Sequence, residues 1–268
     1  MDEFYRVIQW YDCLSLGIAC FFKRGAMSLS DSEKLRYLRQ LNVRGWNQEK
    51  LKSTEVIIVG VGGLGSVSAL FLTAAGIGKL RLCDGDRVEY TDLNRQILYS
   101  EESVGKMKVL EAKKRLALLN PHVEIEPVPE FMNSKNVDDM TKSSDLIVDG
   151  LDNIESRFIL NKQSVKMKRP YIYGAVQGWE GFVGIFHPPY TACLACFLAQ
   201  DVTITDEIPV SGVMPGMIGV LQATEVLKFI MSVEGTLLNR LLVYDSQNLT
   251  CDIVETEKNP NCPHCAVL

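Results

Sequence analysis

An apolar, β-branched run, Glu55-Val56-Ile57-Ile58-Val59, ends directly on Gly60-Val61-Gly62-Gly63-Leu64-Gly65. From Val56 onward it offers no polar side chain to either face, so it reads as a strand buried on both sides of a parallel sheet. Gly60, Gly62 and Gly65 allow a sharp strand-to-helix turn, close approach of the backbone to phosphate, and tight packing of helix on sheet. Leu64 to Ala75 then reads as a helix stopped by Gly76 and Gly78. The free amides at its start, Gly63 among them, form a phosphate-binding end. Alone, this turn fits an NAD or FAD domain as well as any other nucleotide fold.

The pattern repeats downstream. Leu80–Cys83, Val123–Val128 and Asp145–Val148 read as further strands. Lys106–Leu119 and Glu155–Met167 read as helices, the first with Val109, Ala112, Leu116 and Leu119 at helical spacing and Asn120-Pro121 as its stop. This alternation predicts an α/β, doubly wound, Rossmann-like and mostly parallel sheet. After residue 170 the pattern changes to an antiparallel extension. Tyr171–Val176 and Phe182–Phe186 form a hairpin around Gln177-Gly178-Trp179-Glu180-Gly181. A long apolar helix, Met217–Met231, follows, then strands near Leu241–Tyr244 and Asp252–Glu255. Residues 27–170 would be a nucleotide-binding half and 171–268 an antiparallel, zinc-binding half sharing its core, with a polar, mobile loop at 201–211.

At 268 residues and 47% hydrophobic, the chain can bury a large core. Its net charge of −5 argues against a nucleic-acid-binding surface. Val7 to Phe22 is apolar, but it is shorter than the roughly 20 residues of a spanning helix and contains Asp12. Asp2 and Glu3 contradict the basic start of a signal peptide. Met27-Ser28-Leu29-Ser30-Asp31 reads as a natural beginning with a helix cap at Ser30 or Asp31, so residues 1–26 are expected to be an upstream-start extension. The expectation is a cytoplasmic protein with no membrane partner.

Beyond the glycines lie Asp84 and Asp86, Asn94-Arg95-Gln96, and Lys108. Asp84 ends the second strand, where such folds place an acid on ribose hydroxyls. Arg95 offers a planar fork and Lys108 a compact charge, two complementary ways to neutralise a triphosphate. An enzyme that only holds NAD has no need of them. Asp152 would sit at the carboxyl edge of the sheet, suited to Mg²⁺ together with substrate phosphates; it reads equally as a cap for the following helix.

Cys193-Leu194-Ala195-Cys196 and Cys262-Pro263-His264-Cys265 are two matched knuckles. Four thiolates complete a closed tetrahedral Zn²⁺ shell, expected to pin the C-terminal tail. His264 could replace a cysteine, but its place inside the knuckle makes it a bystander. Cys83 reads as a core residue.

These motifs resemble the MoeB/ThiF/HesA family, relatives of ubiquitin-activating enzymes. The resemblance runs from Arg36 to Cys265 and includes Arg36-Tyr37-Leu38-Arg39-Gln40, Asp84-Gly85-Asp86, Asp92-Leu93-Asn94-Arg95-Gln96, Val104-Gly105-Lys106-Met107-Lys108, Asp152-Asn153 and Gly212-Val213-Met214-Pro215. It implies a homodimer that uses ATP to adenylate the C-terminal glycine of a small ubiquitin-like sulfur-carrier protein. Asp84 would hold ribose, Arg95 and Lys108 the phosphates, Asp152 the Mg²⁺, and Asp86, Asn94 and Gln96 would line the pocket. Arg39 would reach the triphosphate from the partner subunit, although by itself it reads as a solvated helix charge. A carrier-capturing subunit without ATP turnover and an NAD-dependent oxidoreductase are the alternatives. No general base is needed, because a terminal carboxylate with pKa ~3.5 is already ionised. His122, His187 and His264 accordingly all lie outside the nucleotide motifs.

One departure from the family pattern matters. Many relatives carry a cysteine just before the Gly212-Val213-Met214 stretch. Here the residues are Glu207-Ile208-Pro209-Val210-Ser211, and Cys251 is the only cysteine between Phe197 and Asn261. The expectation is adenylation without a covalent cysteine step. Sulfur would come from a separate donor such as a cysteine desulfurase or rhodanese.

Overall fold

A computed structural model describes residues 27–198 and 209–266; the leader and most of the polar 201–211 segment, Glu207 and Ile208 included, lie outside the described residues. Among the described residues, three short helices come first: α1 (Asp31–Arg36), α2 (Leu38–Leu41) and α3 (Gln48–Lys52). The nucleotide-binding half follows as β1 (Glu55–Val59), α4 (Gly63–Ala75), β2 (Lys79–Cys83), α5 (Lys108–Leu119), β3 (Glu124–Val128), α6 (Val137–Thr141), β4 (Leu146–Asp149) and α7 (Ile154–Met167). The remainder is β5 (Tyr171–Gln177), β6 (Glu180–Phe186), α8 (Leu194–Phe197), α9 (Met214–Met231), β7 (Arg240–Asp245) and β8 (Thr250–Glu255).

One sheet runs through both halves in the order β3-β2-β1-β4-β5-β6-β7-β8. β3 to β5 pair in parallel, while β5 to β8 pair antiparallel. β1 shows how the sequence imposes this. All five of its residues are buried. Val56 and Ile58 face one apolar cluster, shared with Leu72 of α4, Leu116 of α5 and Ile218 of α9. Ile57 and Val59 face the other, with Met140 of α6, Leu160 of α7 and Leu194 of α8. Period-2 alternation of apolar side chains thus feeds two cores, one on each side of the sheet. Cys83 lies in the second, as its apolar context implied.

Ser30 caps α1 reciprocally with Glu33, the expected start signal. The hairpin is tighter than its sequence implied. Gln177 already pairs with Glu180, leaving Gly178-Trp179 as a two-residue turn with Gly178 at φ 58°. Among the described residues, no helix is long and apolar enough to cross a membrane.

Candidate nucleotide site and four-cysteine centre

Strand order reverses between β1 and β4, and the crevice at such a switch point is where open α/β sheets bind ligands. Three adjacent strands therefore deliver their C-terminal residues to one edge: Asp84 from β2, the glycine loop from β1, and the Asp149-Gly150-Leu151-Asp152 turn from β4. Gly60 adopts φ 86°, and a Cβ there would lie 2.5 Å from the Gly150 carbonyl oxygen. A Cβ at Gly65 would lie 1.9 Å from the Gly60 oxygen. The two turns are locked backbone to backbone, a contact open only to glycine. Pro215 at the start of α9 roofs the loop, since a Cβ at Gly63 would meet its Cβ at 2.8 Å.

The Asp84 carboxylate accepts the Val61 amide at 2.7 Å and the Asp86 amide at 2.8 Å. Burial raises its pKa, an effect opposed by those two amides and by Lys108. Each oxygen keeps a lone pair for a ligand hydroxyl. Tyr99 braces the same loop, its hydroxyl donating to the Val61 carbonyl at 2.7 Å.

The cations meet at a residue to which the sequence reading gave no role. Asp92 is buried and accepts from Gln96 Nε2 at 2.7 Å; Arg95 approaches it at 3.4 Å and Lys108 Nζ lies 3.4 Å from its other oxygen. Lys108 also lies 3.6 Å from Asp86 and is only 6% exposed. Arg95 is further held by the Thr91 carbonyl at 2.8 Å and the Asn94 side chain at 3.1 Å. The spacing of Asp92, Arg95 and Gln96, three and four residues apart, was the one local signal available for this hub, and it did not reveal Lys108.

Asp152 is exposed, and its hydrogen bond is a 3.3 Å contact from the neighbouring Asn153. The helix-cap reading of Asp152 fails. Asn153 does that work by accepting the Ser156 amide at 2.9 Å, which leaves the Asp152 carboxylate uncommitted at the edge. Beneath it lies a buried network that sequence reasoning missed. Asp149, 0% exposed, receives Tyr171 Oη at 2.7 Å and the Leu151 amide at 2.8 Å, with Arg157 Nε at 3.1 Å. Arg157 NH2 donates onward to the carbonyls of Leu151 at 2.6 Å and Gly174 at 2.9 Å. A cavity of about 800 Å³ opens elsewhere, on the outer face of α5 between Arg87 and Lys114, and shares no residue with the glycine loop.

Arg39 is not brought to this edge. Tyr37, its near neighbour, receives a hydrogen bond from Asn120 at 2.9 Å, and Gln40 donates to the Ala75 carbonyl at 2.7 Å. Ala75 ends α4, and Asn120, the C-cap of α5, also donates to the Thr73 carbonyl of α4 at 2.7 Å. Both contacts therefore lie by the C-terminal end of α4, whose 13 residues put the glycine loop roughly 20 Å away. The exposed Arg39 side chain cannot span that distance within this chain.

The two knuckles do converge. The four sulfurs lie within 4.8 Å of one another, with Cys193–Cys196, Cys193–Cys262 and Cys196–Cys265 separations of 3.9, 3.6 and 3.4 Å. All four cysteines are free. A tetrahedron of thiolates at the usual zinc–sulfur distance has edges of about 3.8 Å, so the donor set fits such a cation. His264 points its Nδ1 to Asn161 at 2.8 Å and stands outside the group of four ligand atoms.

Comparison with known proteins agrees with the fold. The chain is 36% identical to the sulfur carrier protein adenylyltransferase of Thermus thermophilus over 89% of its length and 93% of that protein. It is 35% identical to the SAMP-activating enzyme E1 of Haloferax volcanii over 89% and 91% of the two chains. E. coli MccB, solved with ATP, superposes with a TM-score of 0.75 at 26% identity, over 82% of this chain and 69% of that one. The ThiF family model matches residues 35–264. By its sequence, its sheet and the extent of that match, the chain belongs to the ThiF family.

Proposed function

We propose that this protein is an ATP-dependent adenylyltransferase that activates the C-terminal carboxylate of a small ubiquitin-like sulfur-carrier protein. The observation that carries this reading is the convergence of Asp84, the glycine loop and an uncommitted Asp152 on one sheet edge, beside Arg95 and Lys108 held by Asp92. The names of the Thermus and Haloferax relatives support the substrate class.

In the reaction a carboxylate oxygen bonds to the α-phosphorus of ATP and the bond to the bridging oxygen breaks, releasing pyrophosphate. The difficulty is electrostatic, since an anion must approach a polyanion. Backbone amides of the glycine loop and α4 receive phosphate oxygens. Asp84 takes ribose hydroxyls, with Asp86, Asn94 and Gln96 around it. Arg95 and Lys108 face the phosphates. Charge bookkeeping shows what these groups lack: two cations stand among four carboxylates, Asp84, Asp86, Asp92 and Asp152. Further positive charge is needed. Asp152 would hold Mg²⁺, which supplies charge neutralisation on the phosphates, and Arg39 would enter from the second subunit of a homodimer. Zn²⁺ in the four-cysteine centre would be structural, with no open coordination position.

The direct test is carrier-dependent ATP–pyrophosphate exchange with a panel of purified β-grasp carriers. Silence with every carrier, in folded protein supplied with both metals, ends the proposal. A mixing experiment tests Arg39. Arg39→Ala and Asp152→Ala proteins are each expected to be inactive, while subunit exchange restores activity on the order of a quarter of wild-type sites. No recovery in verified hybrids would remove the trans role.

Sulfur chemistry is assigned to a separate donor. Cys251 lies exposed on β8, away from the glycine loop, and burial pushes the Cys83 thiol up to about 12, out of reach of nucleophilic use. Cys251→Ala is expected to keep exchange activity within about twofold of wild type, in line with a surface change remote from the site. Loss of turnover in folded Cys251→Ala protein would restore a covalent step.

A further inference from the structure

The four-cysteine centre is supported by a side chain that belongs to neither knuckle. Asn161 is 1% exposed on α7. Its Oδ1 accepts the Leu194 amide at 2.9 Å, within the turn between Cys193 and Cys196. Its Nδ2 lies 3.6 Å from Cys193 Sγ and 2.8 Å from His264 Nδ1. A carboxamide nitrogen carries two N–H bonds, one for each of these partners. With Nδ2 as the donor, His264 accepts at Nδ1 and carries its proton on Nε2. One carboxamide thereby touches both knuckles, the first through Cys193 and Leu194 and the second through His264.

The position of Asn161 on α7 adds to this. Asn153, Arg157, Asn161 and Val165 recur every four residues and form one stripe. Asn153 caps the helix beside Asp152, Arg157 grips the Leu151 carbonyl, and Val165 packs among Cys193, Cys262 and Cys265. The helix that starts at the nucleotide edge ends at the cysteines. Its packing gives Asn161 little freedom to move.

We propose that Asn161 is the outer-sphere positioning residue of the four-cysteine metal centre, fixing both knuckles to α7. The claim rests on reading the cluster as a zinc site. An N–H donated to a thiolate orients the sulfur and stabilises its charge, and such outer partners are worth about 10–100-fold in metal affinity. Fixing the Leu194 amide holds the two sulfurs of the first knuckle on the same side.

The test is zinc retention by the full-length protein against a chromogenic chelator, with melting curves of the zinc-loaded and zinc-stripped forms. Asn161→Leu is expected to lose zinc about 10–100-fold more readily than wild type. A role in packing alone would lower melting of both forms equally and leave chelator competition unchanged; that outcome, or wild-type retention, overturns the proposal. Should Asn161→Leu fail to fold, Asn161→Asp decides the matter. It keeps the volume and the acceptor for Leu194 but cannot donate to Cys193, so it too should release zinc, and unchanged retention refutes the idea. Wild-type protein purified without stoichiometric zinc would remove the metal reading itself, and the role of Asn161 with it, while leaving the adenylation assay unaffected.

Discussion

Asp152→Ala is expected to abolish carrier-dependent ATP–pyrophosphate exchange, lowering the rate by roughly 10²- to 10³-fold or more, the scale of removing one preorganised electrostatic group. The structure gives reasons to expect this without unfolding. Asp152 is exposed and does not cap α7, because Asn153 accepts the Ser156 amide. The backbone turn is held from below by Arg157 on the Leu151 carbonyl and by Gly150 against Gly60. Stability should therefore change by no more than about 0.5 kcal/mol, as for most exposed positions away from caps and buried pairs. The separation is the point of the measurement. Unchanged melting with lost exchange puts Asp152 in the chemistry, whereas wild-type exchange in Asp152→Ala would leave the edge without its metal ligand and the charge argument without its counterion.

Much of this was legible from the chain because its signals are local. β1 ends where its β-branched run ends, and the paired Cys-x-x-Cys knuckles announce that four thiols meet at one place, whatever lies between them. Where local rules mislead, the physical cause can be named. Met217 is the expected start of the long apolar helix. The helix begins at Met214, because proline is welcome in a first turn where its missing N–H has no partner to lose. Lys106 and Met107 were expected in α5 but are taken up by a bridge between Arg87 and Met107 and by the Val88–Lys106 backbone bond, which aim Lys108 at Asp86 and Asp92. Asp92 was legible as part of a motif and not as a hub, because its partner Lys108 is far along the chain. The Asp149–Arg157–Tyr171 network joins three elements, and no spacing rule on one element can reveal it.

That network sets the second large effect. Arg157→Met should cost about 3–5 kcal/mol, the range for leaving one member of a buried ion pair uncompensated. Typical domain stability is only about 5–15 kcal/mol, so the variant should be marginal at best. The carbonyls of Leu151 and Gly174 lose their donor, and Asp149 keeps only Tyr171 and the Leu151 amide. Burial already raises the Asp149 pKa, with Arg157 opposing it; removing Arg157 lets it rise further. A carboxyl whose folded pKa exceeds its unfolded value binds its proton more tightly in the native state, so the variant gains stability relative to wild type as pH falls. The deficit, measured by chemical denaturation, should be largest at high pH, where Asp149 is ionised in both proteins, and shrink as pH falls. Asp149→Asn placed in the same chain should recover part of the loss and flatten that pH dependence, because the uncompensated charge is then gone. A loss independent of pH, and untouched by Asp149→Asn, would mean that Arg157 stabilises the fold through its two carbonyl bonds and its packing over Tyr173 alone.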